Sequence, residues 1–264
     1  MPMLFDTHAH FPLDPVAIEG LLDRARDAGV ARIVAVGGNP ELNAGARLAA
    51  AARPEQVLLA LGFDREQAAR EESRAEVAAV FADIACPSIS ALGEIGLDYH
   101  YHRDENARRV QRELMECQME IAARLAKPVI IHTRDADADT LALLRNVQNL
   151  PWFRSGRPGV IHCFTGGQLF ADALLALGYY LSFSGIVTFA NAAPLRAVAR
   201  TVPEDSLLIE TDSPYLTPVP LRGRPNEPAH VLHVAACLAE QRSIAPETLA
   251  ARTTANALRL FGEA

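Results

Sequence analysis

Eight short apolar runs, spaced along the whole chain, limit its folding most. They read "MLFDT", "RIVAV", "VLLALG", "SISALGEIG", "PVIIH", "GVIHCF", "YYLSFS" and "SLLIET". Each is almost continuously apolar, which suits a parallel strand covered on both faces rather than an antiparallel strand with one wet face. Helical patterns lie between them. One runs from Val16 to Ala28 and stops at Gly29. A second, Glu105 to Leu125, repeats Leu114, Cys117, Ile121 and Leu125 at helical spacing, and a third, Gln168 to Leu177, stops at Gly178. Eight strands that each precede a helix predict a closed (β/α)8 barrel, an α/β TIM-barrel domain spanning 1–264, close to the usual length of about 250 residues for that architecture. An open doubly wound sheet would carry a glycine-rich phosphate loop after an early strand. The stretch "GGNPELNAG" after the second run matches neither phosphate-loop spacing, and Asn39-Pro40 reads as a helix start.

Barrels of this kind do their chemistry at the carboxyl ends of the strands. The first run continues into "THAHF". Residues two apart on a strand share a face, so His8 and His10 are expected to project together, with Asp6 on that side too. The fourth run ends in "GEIGLDY", bringing Glu94 and then Asp98. The fifth brings His132, the sixth His162, and the eighth Asp212 with Glu210 before it. A lone histidine after an apolar run is ordinarily a hydrogen-bonded structural residue. Four histidines and two carboxylates at one rim are different, because burying them together without a cation leaves charges and lone pairs unsatisfied. The metal-ligand set expected is His8, His10, Glu94, His132, His162 and Asp212. Six ligands exceed one tetrahedral site and suit two divalent ions sharing a carboxylate, about 3.5–4 Å apart. With Glu94 as the bridge, one ion takes His8, His10 and Asp212 and the other His132 and His162. Imidazole ligands favour zinc, manganese, iron or cobalt over magnesium. Glu210 is expected to point away from the mouth or to cap locally.

Composition narrows the partners. A net charge of −7 gives no basic surface for long nucleic acids, though a substrate contacted locally by metal ions and a few arginines is allowed. The cysteines, Cys86, Cys117, Cys163 and Cys237, form no CxxC pair and suit a reducing cytoplasm. No secretory signal or membrane-length apolar run is expected, and no obligate protein partner is implied.

These residues resemble the TatD family of metal-dependent deoxyribonucleases, a branch of the amidohydrolase-like barrels. The segments that carry the likeness are "FDTHAH", "GEIGLDY", "KPVIIHTRDA", "HCFTGG", "SFSGIVTFANA", "ETDSPYLTP" and "RGRPNEPAHV", which run nearly end to end. The resemblance implies a TIM barrel, divalent ions, phosphodiester hydrolysis of DNA, often from ends, and the same six ligands. Family members are described as magnesium- or manganese-dependent, so zinc, manganese and magnesium all stay open here. One departure stands out: the family ends its third strand with a glycine, a variable residue and His-Pro, whereas this chain reads "LGFDRE", with Phe63-Asp64.

For such a reaction Asp212 is expected to orient the attacking water and accept its proton, and Glu94 to hold the ions together. Arg134, Arg222, Arg224 and Asn226 are the candidates for gripping a single-stranded or terminal nucleic-acid substrate. Tyr99 and Tyr215 could stack on a base, with packing the ordinary expectation. Two other readings keep the residues and change the outcome. A carboxylic ester or amide, including an aminoacyl ester on tRNA, could be hydrolysed at the same site, or the barrel could bind metal without catalysis.

Overall fold

The computed structural model describes residues 3–64, 66, 81–153 and 158–262. Its strands are β1 (Leu4–Ala9), β2 (Val30–Gly38), β3 (Val57–Phe63), β4 (Ala91–Asp98), β5 (Val129–Arg134), β6 (Gly159–Ile161), β7 (Tyr180–Phe183) and β8 (Leu207–Ile209). They form one eight-stranded sheet in chain order, with every neighbouring pair parallel. The chain leaving β8 returns to β1 through an Ala9–Ser213 bridge and a bond from the Asp212 amide to the His8 carbonyl (2.9 Å), which brings the two ends of the sheet together. The expected (β/α)8 barrel is the fold observed.

The helices are α1 (Pro15–Asp27), α2 (Pro40–Ala52), α3 (Glu105–Arg124), α4 (Asp137–Val147), α5 (Gln168–Ala176), α6 (Ala193–Thr201), α7 (Val231–Gln241) and α8 (Pro246–Phe261). Local chemistry sets their starts. Asp14, Asn39 and Asp104 each accept a backbone N–H of the first turn of α1, α2 and α3, and proline follows directly in the first two. Leu125 and Leu177, expected as last helical residues, are C-caps instead. The stretch after β3, where another helix is expected, lies largely outside the described residues. The loop after β8 ends in a 3-10 turn at Pro228–His230.

Two apolar layers hold the barrel. The larger packs helices onto the outer strand faces. The smaller draws on every strand, through Phe5, Val34, Leu58, Ala91, Ile130, Val160, Tyr180 and Leu208, together with Ala257, Leu260 and Phe261 of α8. This is the filled interior of the barrel, and the end of α8 plugs its base, with the Phe5 and Phe261 rings 6.2 Å apart.

That interior layer shows which side chains reach the opposite, carboxyl rim. Two residues beyond Ile130, Val160 and Leu208 stand His132, His162 and Glu210, which simple alternation turns inward. His8 and Glu94 are out of phase with Phe5 and Ala91. They turn inward where the strand registers slip, between Asp6 and Ala9 and between Leu92 and Ile95. Backbones approach closely there. A Cβ on Gly93 would lie 2.6 Å from Ile130 Cβ, and one on Gly96 (φ +137°) would lie 2.0 Å from the His132 carbonyl, so "GEIG" needs both glycines.

Candidate metal centre

At the carboxyl rim the six expected residues converge. His8 Nε2 and His10 Nε2 are 3.3 Å apart. Asp212 Oδ1 stands 3.8 and 3.7 Å from them, and Glu94 Oε2 stands 3.6 and 3.8 Å from them. The other oxygen of Glu94 faces the opposite pair: Oε1 is 3.3 Å from His132 Nδ1 and 3.4 Å from His162 Nε2, and those two nitrogens are 3.3 Å apart. One carboxylate therefore touches all four imidazoles, two through each oxygen.

The far nitrogens explain which lone pairs point inward. His10 Nδ1 lies 2.8 Å from the Val36 carbonyl oxygen and must donate to it, which leaves Nε2 unprotonated in the neutral ring. His132 Nε2 lies 3.3 Å from Asp98 Oδ2, so its inward Nδ1 is the bare one. His162 Nδ1 stands 3.4 Å from Glu210 Oε1. Neither His162 Nδ1 nor His8 Nδ1, both buried, has a hydrogen-bond partner, but only His162 has a carboxylate within ion-pair distance on that side.

Three atoms that all offer lone pairs, His132 Nδ1, His162 Nε2 and Glu94 Oε1, thus form a triangle with edges of 3.3–3.4 Å. Donors about 2.1 Å from one tetrahedral ion stand about 3.4 Å apart, so the triangle fits a shared cation. Without one, a proton must relieve the repulsion. Burial works against charge on His162, but Glu94 and Glu210 outweigh it and push its pKa up to about 10. Burial, with His162 and His10 beside it, holds His8 well below its ordinary value. Two overlapping groups could hold an ion: His8, Glu94 and His162, and His8, His10 and Asp212.

Asp212 adopts φ +56°, a left-handed conformation costing about 1–3 kcal/mol for a non-glycine residue. It is held there by its own amide on the His8 carbonyl and by the Tyr215 amide on its carbonyl (2.9 Å each). Asp6, expected on the same face as the histidines, ties the barrel seam instead. It accepts from Thr211 N (2.8 Å) and Thr211 Oγ1 (2.6 Å), and burial raises its pKa to about 8.

Glu210 is a correction. Far from pointing outward, it is fully buried, faces His162 and accepts the Cys163 amide at 2.6 Å. Its two-residue spacing from Leu208 and Asp212 carries the signal, since all three share the inward phase. Asp98 was visible as a residue but not as the partner of His132.

The expected substrate residues are spread more widely. Arg134 is exposed at the end of β5, its guanidinium 5.1 Å from the Tyr101 ring. Arg222 lies 4.0 Å over the Phe189 ring and donates to the Thr217 carbonyl (3.1 Å), while Arg224 is exposed. Asn226 is buried and fully engaged by its own chain. Its amide donates to the Thr211 and Tyr215 carbonyls (2.9 and 2.6 Å) and its oxygen accepts from Glu227 N (3.0 Å), so it braces the Asp212 loop rather than offering a free hydrogen bond. Tyr99 packs inside, donating to Asp139 at 2.7 Å, whereas Tyr215 is 59% exposed with its ring 6.2 Å from His10. In the departure from the family pattern, the Phe63 backbone is bonded both ways by the Gln118 amide (2.8 Å each), and Asp64 is buried.

A parallel eight-stranded barrel with a histidine–carboxylate cluster at its carboxyl rim defines the class of metal-dependent hydrolase barrels. A sequence profile described as TatD related DNase matches residues 5–262, and the chain belongs to that family. The metal-dependent hydrolase YcfH of Escherichia coli K12 is 52% identical over 173 residues, 66% of this chain and 63% of YcfH. A protein of Erwinia billingiae named 3'-5' ssDNA/RNA exonuclease TatD is 34% identical over 91% of each chain. The crystal structure of YjjV, a TatD homologue from E. coli, superposes with a TM-score of 0.84 at 31% identity, covering 98% of this chain and 97% of its own.

Proposed function

We propose that the protein hydrolyses phosphodiester bonds of nucleic acid, at single strands or ends, with two divalent ions held by His8, His10, Glu94, His132, His162 and Asp212. The observation that carries this reading is the division of four imidazoles into two pairs by the two oxygens of Glu94. Zinc, manganese or magnesium bound there would supply positive charge against the phosphoryl oxygens and a water acidified toward neutral pH. The chain's own residues do the rest. Asp212 is the only one of the two carboxylates in the cluster placed at the loop side, and it orients the water and takes its proton. Glu94 fixes the spacing of the two halves. Val36 and Asp98 hold His10 and His132 in the tautomer that presents a lone pair inward, and the Glu210 carboxylate faces the outer nitrogen of His162. Arg134, exposed two residues past His132 and resting on Tyr101, meets a phosphate as a planar donor. The exonuclease name of the Erwinia relative supports the choice of bond. Four free cysteines suit the cytoplasm, and no helix among the described residues is long and apolar enough to cross a membrane.

The test is turnover of bis(p-nitrophenyl) phosphate and of a short single-stranded oligonucleotide, beside a panel of esters and amides. Glu94→Ala and Asp212→Ala should each abolish divalent-ion-dependent hydrolysis while the protein stays folded by circular dichroism. Unchanged turnover in either variant contradicts the proposal, and activity confined to esters or amides moves it to the carbonyl reading.

A further inference from the structure

Beside His10 the rim opens into a pocket of about 340 Å³ that the chemistry above does not use. Leu13, Leu42, Pro214 and the ring of Tyr215 form its walls, and Glu41 adds a carboxylate. The volume lies at the lower end of the roughly 300–1,000 Å³ of small-molecule sites, enough for one planar group and too small for a length of polymer. Among the described residues no lysine or arginine lines it, so it offers a phosphate no cationic side chain. Arg134 instead ends β5, two residues past His132, with its guanidinium over the Tyr101 ring. The centre thus has an apolar recess beside His10 and, on the strand that carries His132, a terminal arginine.

We propose that this recess is a nucleobase subsite that holds the terminal base of the substrate while the phosphate chain leaves past Arg134. The assignment rests on the nucleic-acid reading of the site. Tyr215, 59% exposed at the recess edge, offers a face on which a base stacks, and every base has a face to offer. Glu41 adds selectivity. A carboxylate accepts hydrogen bonds from exocyclic amino groups such as cytosine N4, and adenine and guanine carry the same kind of group. Thymine offers one ring N–H between two carbonyl oxygens, which a carboxylate repels. The subsite therefore favours adenine, cytosine and guanine over thymine at the end it holds.

The experiment uses the metal-loaded protein and a single-stranded oligonucleotide whose terminal residue, at either end in turn, carries each of the four bases or none. The wild type should cleave base-bearing ends with a KM about tenfold or more below that of the abasic end. Tyr215→Ala should remove that advantage and leave the abasic KM unchanged. Glu41→Ala should erase the discrimination against thymine without altering kcat on the abasic end. Equal cleavage of base-bearing and abasic ends by the wild type, or an equal rise of both KM values in Tyr215→Ala, overturns the subsite and leaves the nuclease reading standing. Cleavage of no oligonucleotide, with esters or amides turned over, overturns both.

Discussion

The two halves of the histidine–carboxylate cluster share Glu94 and differ in almost everything else. On one side, His132 Nδ1, His162 Nε2 and Glu94 Oε1 close to 3.3–3.4 Å, and each imidazole has a carboxylate behind it, Asp98 or Glu210. On the other, His8 and His10 stand 3.6–3.8 Å from the carboxylates they face, one backed by a backbone carbonyl and the other by nothing. A carboxylate behind an imidazole makes it more basic, hence a stronger ligand and a stronger proton trap. The difference teaches that the His132 half should hold its ion more tightly and compete harder with protons. The His8 half, with Asp212 in its left-handed turn, should be the adaptable side where water and substrate meet.

That contrast can be broken most severely by substitution of ligands. Glu94→Ala should take the metal content of purified protein from about two ions per chain to near none, whereas His10→Ala should leave about one, by elemental analysis. Equal losses in the two variants would mean the halves are not separate sites. A smaller effect is expected behind the ligands. Glu210→Gln and Asp98→Asn should weaken the tighter of two affinities by about 10–100-fold and leave the weaker one in place, by titration calorimetry. A shift in the weaker affinity alone would reverse the assignment of the halves.

The smallest effect is pH-dependent. The pKa of His162 is raised from 6.5 to about 10 in the folded chain without a bound cation. Its protonation stabilises that form fully below pH about 6.5, and the contribution is lost as pH rises through about 10. A bound cation needs the unprotonated ring, so the Tm gain from added metal should grow between pH 6.5 and pH 9, and binding should release a proton. A gain that is flat with pH would sharpen the comparison against the proton-trap argument.

The sequence carries the barrel and brings the six expected ligand residues to one rim, because most of that information is local. Buried parallel strands announce themselves as apolar runs, and strand ends fix which residues face the rim. His132 and His162 follow from alternation alone. His8 and Glu94 do not, since each turns inward at a register slip that depends on the neighbouring strand, and they were legible only through the company they keep. The partners Asp98–His132 and Glu210–His162 join residues 34 and 48 apart in the chain, a relation no local pattern encodes. Arg222 and Asn226 mislead for the opposite reason. Their chemistry suits a substrate, but the loop after β8 uses it to hold itself together.

The most direct measurement is anomalous diffraction from crystals of the protein grown with manganese or zinc. The account predicts two peaks, one on each oxygen of Glu94, ligated by His8, His10 and Asp212 on one side and by His132 and His162 on the other. A single peak, or peaks that leave Glu94 uncoordinated, would contradict it.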